Sequence, residues 1–399
     1  MKKIYWVLSV LLIFVASCQR PEQVDSLNNA GQLKEVIPKA VLTIARNFDV
    51  FVSVATSKDD AKNARTGDRE KTIKNVTPFN DEAGEVLYYV ITYNEGGFVI
   101  VSAEKKTIPI LAFSDTNDFP VDKELPNGVR ETMDSYRESI KKARLSNSEP
   151  DPGILKEWER LGNTTAINEW VQSARKSGAR TTDAPVNPPC QDSQIYVTLG
   201  TASWGQQVSW NSQMPFDFSF GCMGMPNGRM LTGCVATAMA EIMNFHHFPN
   251  NYNWSEMGAE KPETARLMRA AANSVNMTYD CTGSSAYGSA IPSGFANGFG
   301  YSPGAAYGPY NINTITSEIL NFARPVVLGG VYPNLGGHAW VCDGYYQYFS
   351  CGSPAAPMLR MNWGWDGSCN AFYTTSTGWD PNKLGSAYQN LVMVTNIKP

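Results

Sequence analysis

The sequence predicts an α+β protein, with a helical part packed on an antiparallel sheet part, preceded by a small α/β unit. Three observations carry this. The stretch from Cys234 to Met243 is mostly small or apolar around the whole circumference of a helix, which places it inside a core. The runs from His338 to Gly344 and from Met358 to Trp365 read as strands. A loop holding Cys351, Pro354 and Pro357 separates them, which suits antiparallel pairing. Upstream, Val86 to Tyr93 and Phe98 to Ser102 read as a hairpin about the Gly96-Gly97 turn, set between two helical stretches.

The chain opens with Lys2 and Lys3, then an apolar run from Ile4 to Val15, then Val15-Ala16-Ser17-Cys18. This run is shorter than the roughly 20 residues that a membrane-spanning helix needs, so it reads as an export signal. Small residues directly before a cysteine resemble the lipobox of bacterial lipoproteins, in which Cys18 carries the lipid and residues 1–17 are removed. The plainer alternative is a secretory peptide with an incidental Cys18. Export makes disulfides available. With Cys18 lipidated and one further cysteine reactive, Cys190, Cys222, Cys281, Cys342, Cys351 and Cys369 remain of the 8 cysteines. Their pairing is open on sequence alone. No Cys-x-x-Cys occurs, which argues against a zinc ribbon or a thioredoxin-like site.

After a polar stretch, residues 35–142 read as the α/β unit. Val36 to Val54 is helical by periodicity, Pro109 to Ser114 is a third strand, and Glu131 to Lys142 is a charged helix. The unit has neither histidine nor cysteine, so it carries no site of the kind sought below. Past Ser146 comes a basic, small-residue segment, Ala174 to Asp183, then Pro185, Pro188 and Pro189. Such exposed linkers are where proteases nick. The net charge of −4 in 399 residues gives no basic stripe for nucleic acid.

Gly233 precedes the apolar helix, so Cys234 stands in its first turn. Unpaired N–H groups and the helix dipole there favour a thiolate over a thiol. A thiolate nucleophile needs a base, and the chain has 3 histidines. His246 and His247 lie at the far end of the helix, roughly 18 Å away by helix rise. His338, in Gly336-Gly337-His338-Ala339-Trp340-Val341-Cys342-Asp343-Gly344, is the remaining candidate. Strand periodicity puts residues 338, 340 and 342 on one face and Asp343 on the other. Asn362 on the neighbouring strand is then expected to accept a hydrogen bond from the imidazole, with Trp363 and Trp365 covering it. An oxyanion needs a second donor besides the Cys234 N–H. Gln206 and Gln207 both offer one, and composition does not choose between them.

These motifs resemble the streptopain family of bacterial papain-like cysteine peptidases. The likeness lies in Gly233 to Met243, Gly337 to Gly344, Asn362-Trp363-Gly364-Trp365-Asp366-Gly367 and the ending Ile397-Lys398-Pro399. Gly97 to Ala103 is similar to that family's propeptide. The resemblance implies a papain-like fold, Cys234 as nucleophile, His338 as general base and Gln206 as oxyanion donor. It implies that Asn362 or Trp363 steadies the histidine, and that Gly337 and, after Tyr279, Ser285 contact substrate. It implies endopeptidase activity on proteins and peptides, with no cofactor and no metal.

The expected division is a lipoprotein signal at 1–17, an inhibitory prodomain with linker at 18–180 and the peptidase domain at 181–399. The prodomain is expected to fold separately and to act as an intramolecular inhibitor. The lipid on Cys18 would hold the chain to a membrane, facing periplasm or cell exterior. Two other classes stay open: a Cys-His acyltransferase or peptide ligase, and a catalytically silent surface-binding protein on the same scaffold.

Overall fold

The computed structural model describes residues 38–56, 71–176, 192–217, 222, 227–332, 336–350, 353–375 and 389–399. The signal and Cys18, linker residues 177–191 with Arg180 and Cys190, and Cys351 lie outside the described residues.

The N-terminal part begins with helix α1, Lys39–Thr56. Strands β1 (Ile73–Asn80), β2 (Val86–Tyr93), β3 (Phe98–Ser102) and β4 (Ile110–Ser114) follow as an antiparallel meander. The hairpin at Gly96-Gly97 and the third strand stand where the sequence places them. Strand β1, with its mixed burial, has no clear alternation and was not expected. Helix α2, Asn127–Leu145, starts earlier than the charged pattern suggests. Helices α3 (Pro152–Gly162) and α4 (Thr164–Lys176) close the unit. Asp151 caps α3 by accepting from the N–H groups of Gly153 and Ile154.

The C-terminal part enters through β5, Ser193–Thr198. It continues with helix α5 (Cys234–His246), helix α6 (Pro262–Ser274), β6 (Ala306–Pro309) and helix α7 (Ile312–Phe322). Strands β7 (Val326–Tyr332), β8 (Gly336–Ser350), β9 (Ser353–Pro354), β10 (Met358–Asn362), β11 (Ala371–Thr374) and β12 (Gln389–Thr395) complete it. Strands β8 and β10 pair antiparallel, as expected. Cys222 and Cys281 form a disulfide, while Cys342 and Cys369 are buried free thiols.

The N-terminal unit does not stand apart as a separate body. Its strands and those of the C-terminal part form one sheet, in the order β1-β2-β3-β4-β11-β10-β8-β7-β12-β6. The seam is short, with Phe113 opposite Phe372 and Ala112 opposite Tyr373. The Phe113 and Phe372 rings stack across it, 4.9 Å apart at 12°.

Side-chain alternation sends each half of every strand to a different core. Val90, Ile100, Leu111, Trp340, Met361, Trp363 and Tyr373 share one core with Val129, Met133 and Tyr136 of α2. Tyr89, Ile91, Val99, Phe113, Tyr346 and Phe372 share another with α1, α3 and α4. Both cores cross the seam, so N-terminal helices cover strands of the C-terminal part on both faces. A third core holds α5 and α6 against Val327, Ala339 and Val341.

Because Phe113 belongs to the seam and to the α1 core at once, Phe113→Ala should destabilise the chain by about 3–5 kcal/mol. Urea unfolding measures this, and a loss below about 1 kcal/mol would show that the two parts of the chain do not share a core.

Candidate active site

Gly233 takes φ +87° and ψ 139° immediately before α5. A side chain there would meet the Met277 thioether and the Ser284 carbonyl at 2.8 to 2.9 Å. The bend therefore needs glycine, and it sets Cys234 as the first residue of α5. Helix α5 itself is buried from Val235 to Met243. The thiol faces the backbone N–H of Ala339 on β8, along with the N–H groups of Val235 and Cys234.

His338 is two residues further along β8 than its exposed start. Its imidazole lies on the α2 side of the sheet, stacked over Trp340 (5.8 Å, 17°) and Trp363 (6.3 Å, 20°). Nε2 is 3.2 Å from the Trp363 carbonyl oxygen. A carbonyl can only accept, so Nε2 carries the proton and Nδ1 is left as the basic nitrogen. Among the described residues no hydrogen bond joins this ring to the Cys234 thiol.

What covers the ring is the start of α2. A Cβ added at Gly128 would lie 2.8 Å from the His338 ring carbon Cδ2 and 2.7 Å from the Trp363 indole. Only a residue without a side chain fits this approach. Burial beneath α2 lowers the His338 pKa to about 4, against the opposing pull of the Trp363 carbonyl. Burial likewise raises the Cys234 thiol above its ordinary value, although three N–H groups favour the thiolate. The helix-terminus argument from sequence predicts the opposite direction. Desolvation outweighs it here, and both groups are neutral at pH 7.

Asn362 does not orient the imidazole. Its Nδ2 donates to Thr201 Oγ1 (3.1 Å) and the Ala202 carbonyl (2.7 Å). Its Oδ1 accepts from Gly364 N–H (3.4 Å) and Asn370 Nδ2 (2.8 Å). The side chain alternates to the other face from Trp363, so the contact to the histidine falls to the Trp363 carbonyl and indole. Asp343 is buried and clasped by Arg360 (2.6 Å) and Thr201, away from His338, as strand alternation predicts. Trp365 packs partly buried against the α2 core.

Gln206 is buried, whereas Gln207 is exposed. The Gln206 carbonyl accepts from Thr232 N–H (3.1 Å), which ties it to the Gly233 bend. Its side-chain amide donates to the Gly364 carbonyl at 3.4 Å. Gly337 pairs with Val331 on β7 and is exposed. Ser285 pairs with Thr278 in the short bridge whose Ser284 carbonyl abuts Gly233. The two other histidines lie elsewhere: His246 Nδ1 meets Tyr301 Oη (3.1 Å), and His247 ends α5 in the left-handed region.

A cysteine that opens a buried helix, a histidine on the sheet and an N-terminal unit that covers it fit a papain-like cysteine peptidase with its prodomain. The comparisons agree. The Peptidase C10 family matches residues 204–260 and 250–373, and the Spi protease inhibitor family matches residues 36–140. Streptopain of Streptococcus pyogenes serotype M1 is 26% identical over 365 residues, covering 78% of this chain and 80% of that protein. The thiol protease/hemagglutinin PrtT of Porphyromonas gingivalis is 24% identical over 351 residues, covering 76% of this chain and 35% of that protein. A fragment of Prevotella intermedia prointerpain A shares the fold, with TM-score 0.52 and 22% identity over 82% of this chain and 99% of that one. The matched families and their order along the chain support a streptopain-family precursor with an inhibitor-type prodomain.

A ring held near pKa 4 when folded and at its ordinary 6.5 when unfolded binds fewer protons in the folded chain between those values. Its contribution to stability is complete above pH 6.5 and is lost as pH falls towards 4. The wild-type urea midpoint should therefore drop over this window more steeply than that of His338→Gln. Equal slopes would show that the ring is not held neutral beneath α2.

Proposed function

We propose that the chain is the latent precursor of an exported cysteine endopeptidase that hydrolyses peptide bonds through a thioester on Cys234. The observation that carries this reading is the seat of Gly128 on the His338 ring. A segment that matches an inhibitor family thus covers the proposed base.

In the proposed sequence, the prodomain leaves and the imidazole turns towards Cys234 while Nε2–H keeps the Trp363 carbonyl. Nδ1 then takes the thiol proton. The thiolate adds to the scissile carbonyl, and the Cys234 N–H and the Gln206 amide donate to the oxyanion. The C–N bond breaks as His338 gives its proton to the leaving amine. Water, deprotonated by His338, then cleaves the thioester. Gly337 and Ser285 are the proposed substrate contacts.

The proposed boundaries are a signal at 1–17, a prodomain at 18–180 and a peptidase domain at 181–399, with Cys18 lipidated and the chain held at a membrane after export. Because the inhibitor is tethered, modest affinity suffices to keep the site closed until the linker is cut near Lys176 or Arg180.

Processed Cys234→Ser should fold and lose nearly all hydrolysis of casein in reductant. His338→Ala should be as damaging and the double variant scarcely worse, since one catalytic unit is non-additive. His246→Ala and His247→Ala should leave turnover per folded molecule unchanged. Retained turnover in Cys234→Ser would refute the assignment. The Cys234→Ala precursor should stay full length until a trypsin-like protease trims it near Lys176 or Arg180. An uncut precursor as active as the 181–399 product would make the N-terminal unit something other than an inhibitor.

A further inference from the structure

We propose that Asn370 is the positioning residue for the catalytic histidine, acting through the backbone of Trp363; this rests on the peptidase reading above. Asn370 is fully buried at the end of the loop between β10 and β11. Its Oδ1 accepts from Trp363 N–H (3.0 Å), and its Nδ2 donates to Asn362 Oδ1 (2.8 Å) and Ser203 Oγ (3.3 Å). The carbonyl of the same Trp363 residue holds His338 Nε2. Asn370 thus grips one side of the residue whose other side orients the imidazole.

The direction of each amide is fixed. Asn362 Oδ1 also accepts from Gly364 N–H, and Asn362 Nδ2 donates to the Ala202 carbonyl. Turning either side chain over would set donor against donor and acceptor against acceptor in a buried site. Asn370 Oδ1 must therefore face Trp363 N–H.

The loop that delivers Asn370 is built at a cost. Between Trp363 and Asn370 it passes through Gly364 (φ 71°), Asp366 (φ 53°), Gly367 (φ 78°) and Cys369 (φ 60°). Two of these left-handed positions, Asp366 and Cys369, are not glycine, although L side chains rarely adopt this conformation. Asn370 N–H closes the turn on the Gly367 carbonyl at 3.1 Å. The chain bends back through these conformations to place one amide beside Trp363. An ordinary strand connection would not require that.

The test uses full-length variants processed by the same added protease, with active sites titrated by a thiol reagent. Asn370→Ala should lower kcat about ten- to a hundredfold, as loss of a partner that orients a reactive group does. KM should change by less than about twofold, since the residue touches no substrate. Asn370→Asp should regain most activity at acid pH, where a protonated carboxyl offers the same donor and acceptor. It should lose that activity as pH rises and the ionised carboxyl faces Asn362 Oδ1. In the uncut wild-type precursor, 15N NMR of His338 should report a single Nε2–H tautomer, and in uncut Asn370→Ala a mixture.

An Asn370→Ala enzyme with wild-type kcat, or a loss confined to KM, would overturn the proposal. So would an Asn370→Asp variant with no pH-dependent recovery, which decides the matter if Asn370→Ala fails to fold. Activity in Cys234→Ala would refute the peptidase reading itself. Inactive Cys234→Ala beside unimpaired Asn370→Ala would refute only the positioning role.

Discussion

The closed state depends on an approach too tight for a methyl group. Helix α2 begins on the faces of His338 and Trp363, and Gly128 at the contact leaves less than 3 Å for any Cβ. From this the other features of the site follow. The ring is buried, so its pKa falls, and desolvation pushes the Cys234 thiol up as well. Neither half of a thiolate–imidazolium pair is charged, although the backbone N–H groups that would stabilise the thiolate are already in place. Burial of both groups in the closed chain opposes the ionisation on which the proposed chemistry depends.

That contact is held by a sheet shared between inhibitor and enzyme. Strand β4 adds to the β11 edge over only two paired positions. The helices on either side extend the attachment, since α2 and α1 each pack on strands of both parts. Tyr196 of β5 also donates to Asp115 (2.8 Å), and Gln194 to the Phe51 carbonyl (3.0 Å), which ties the first strand after the linker to the prodomain. A short seam with broad packing is strong while the chain is continuous. Its strand edge offers few hydrogen bonds to retain the prodomain once the linker is cut.

Local pattern made much of this legible in the sequence. The circumferential apolarity of α5, the hairpin at Gly96-Gly97 and the pairing of β8 with β10 all follow from periodicity and turn residues. Alternation along β8 correctly sent Asp343 away from His338. It did not reveal that Asn362 would be taken up by Thr201, Ala202 and Asn370, because the loops supplying those partners come from distant sequence. The join of β4 to β11 is equally non-local, since nothing in either strand names its neighbour. Gly128 looked like any glycine near a helix start, and Asn370 like any polar loop residue. At Cys234 the helix terminus is a local feature that sequence displays, whereas the desolvation that opposes it depends on the folded surroundings.

The most direct test of this account is the rate at which iodoacetamide alkylates Cys234 in the uncut precursor, followed by peptide mass spectrometry and compared with Gly128→Leu. If α2 closes the site by its fit to His338, the wild-type precursor reacts slowly. The leucine variant, uncut and otherwise folded, then reacts severalfold faster and approaches the processed enzyme. Equal rates in the two precursors, with both far below the processed enzyme, would contradict the account and place the block elsewhere than at Gly128.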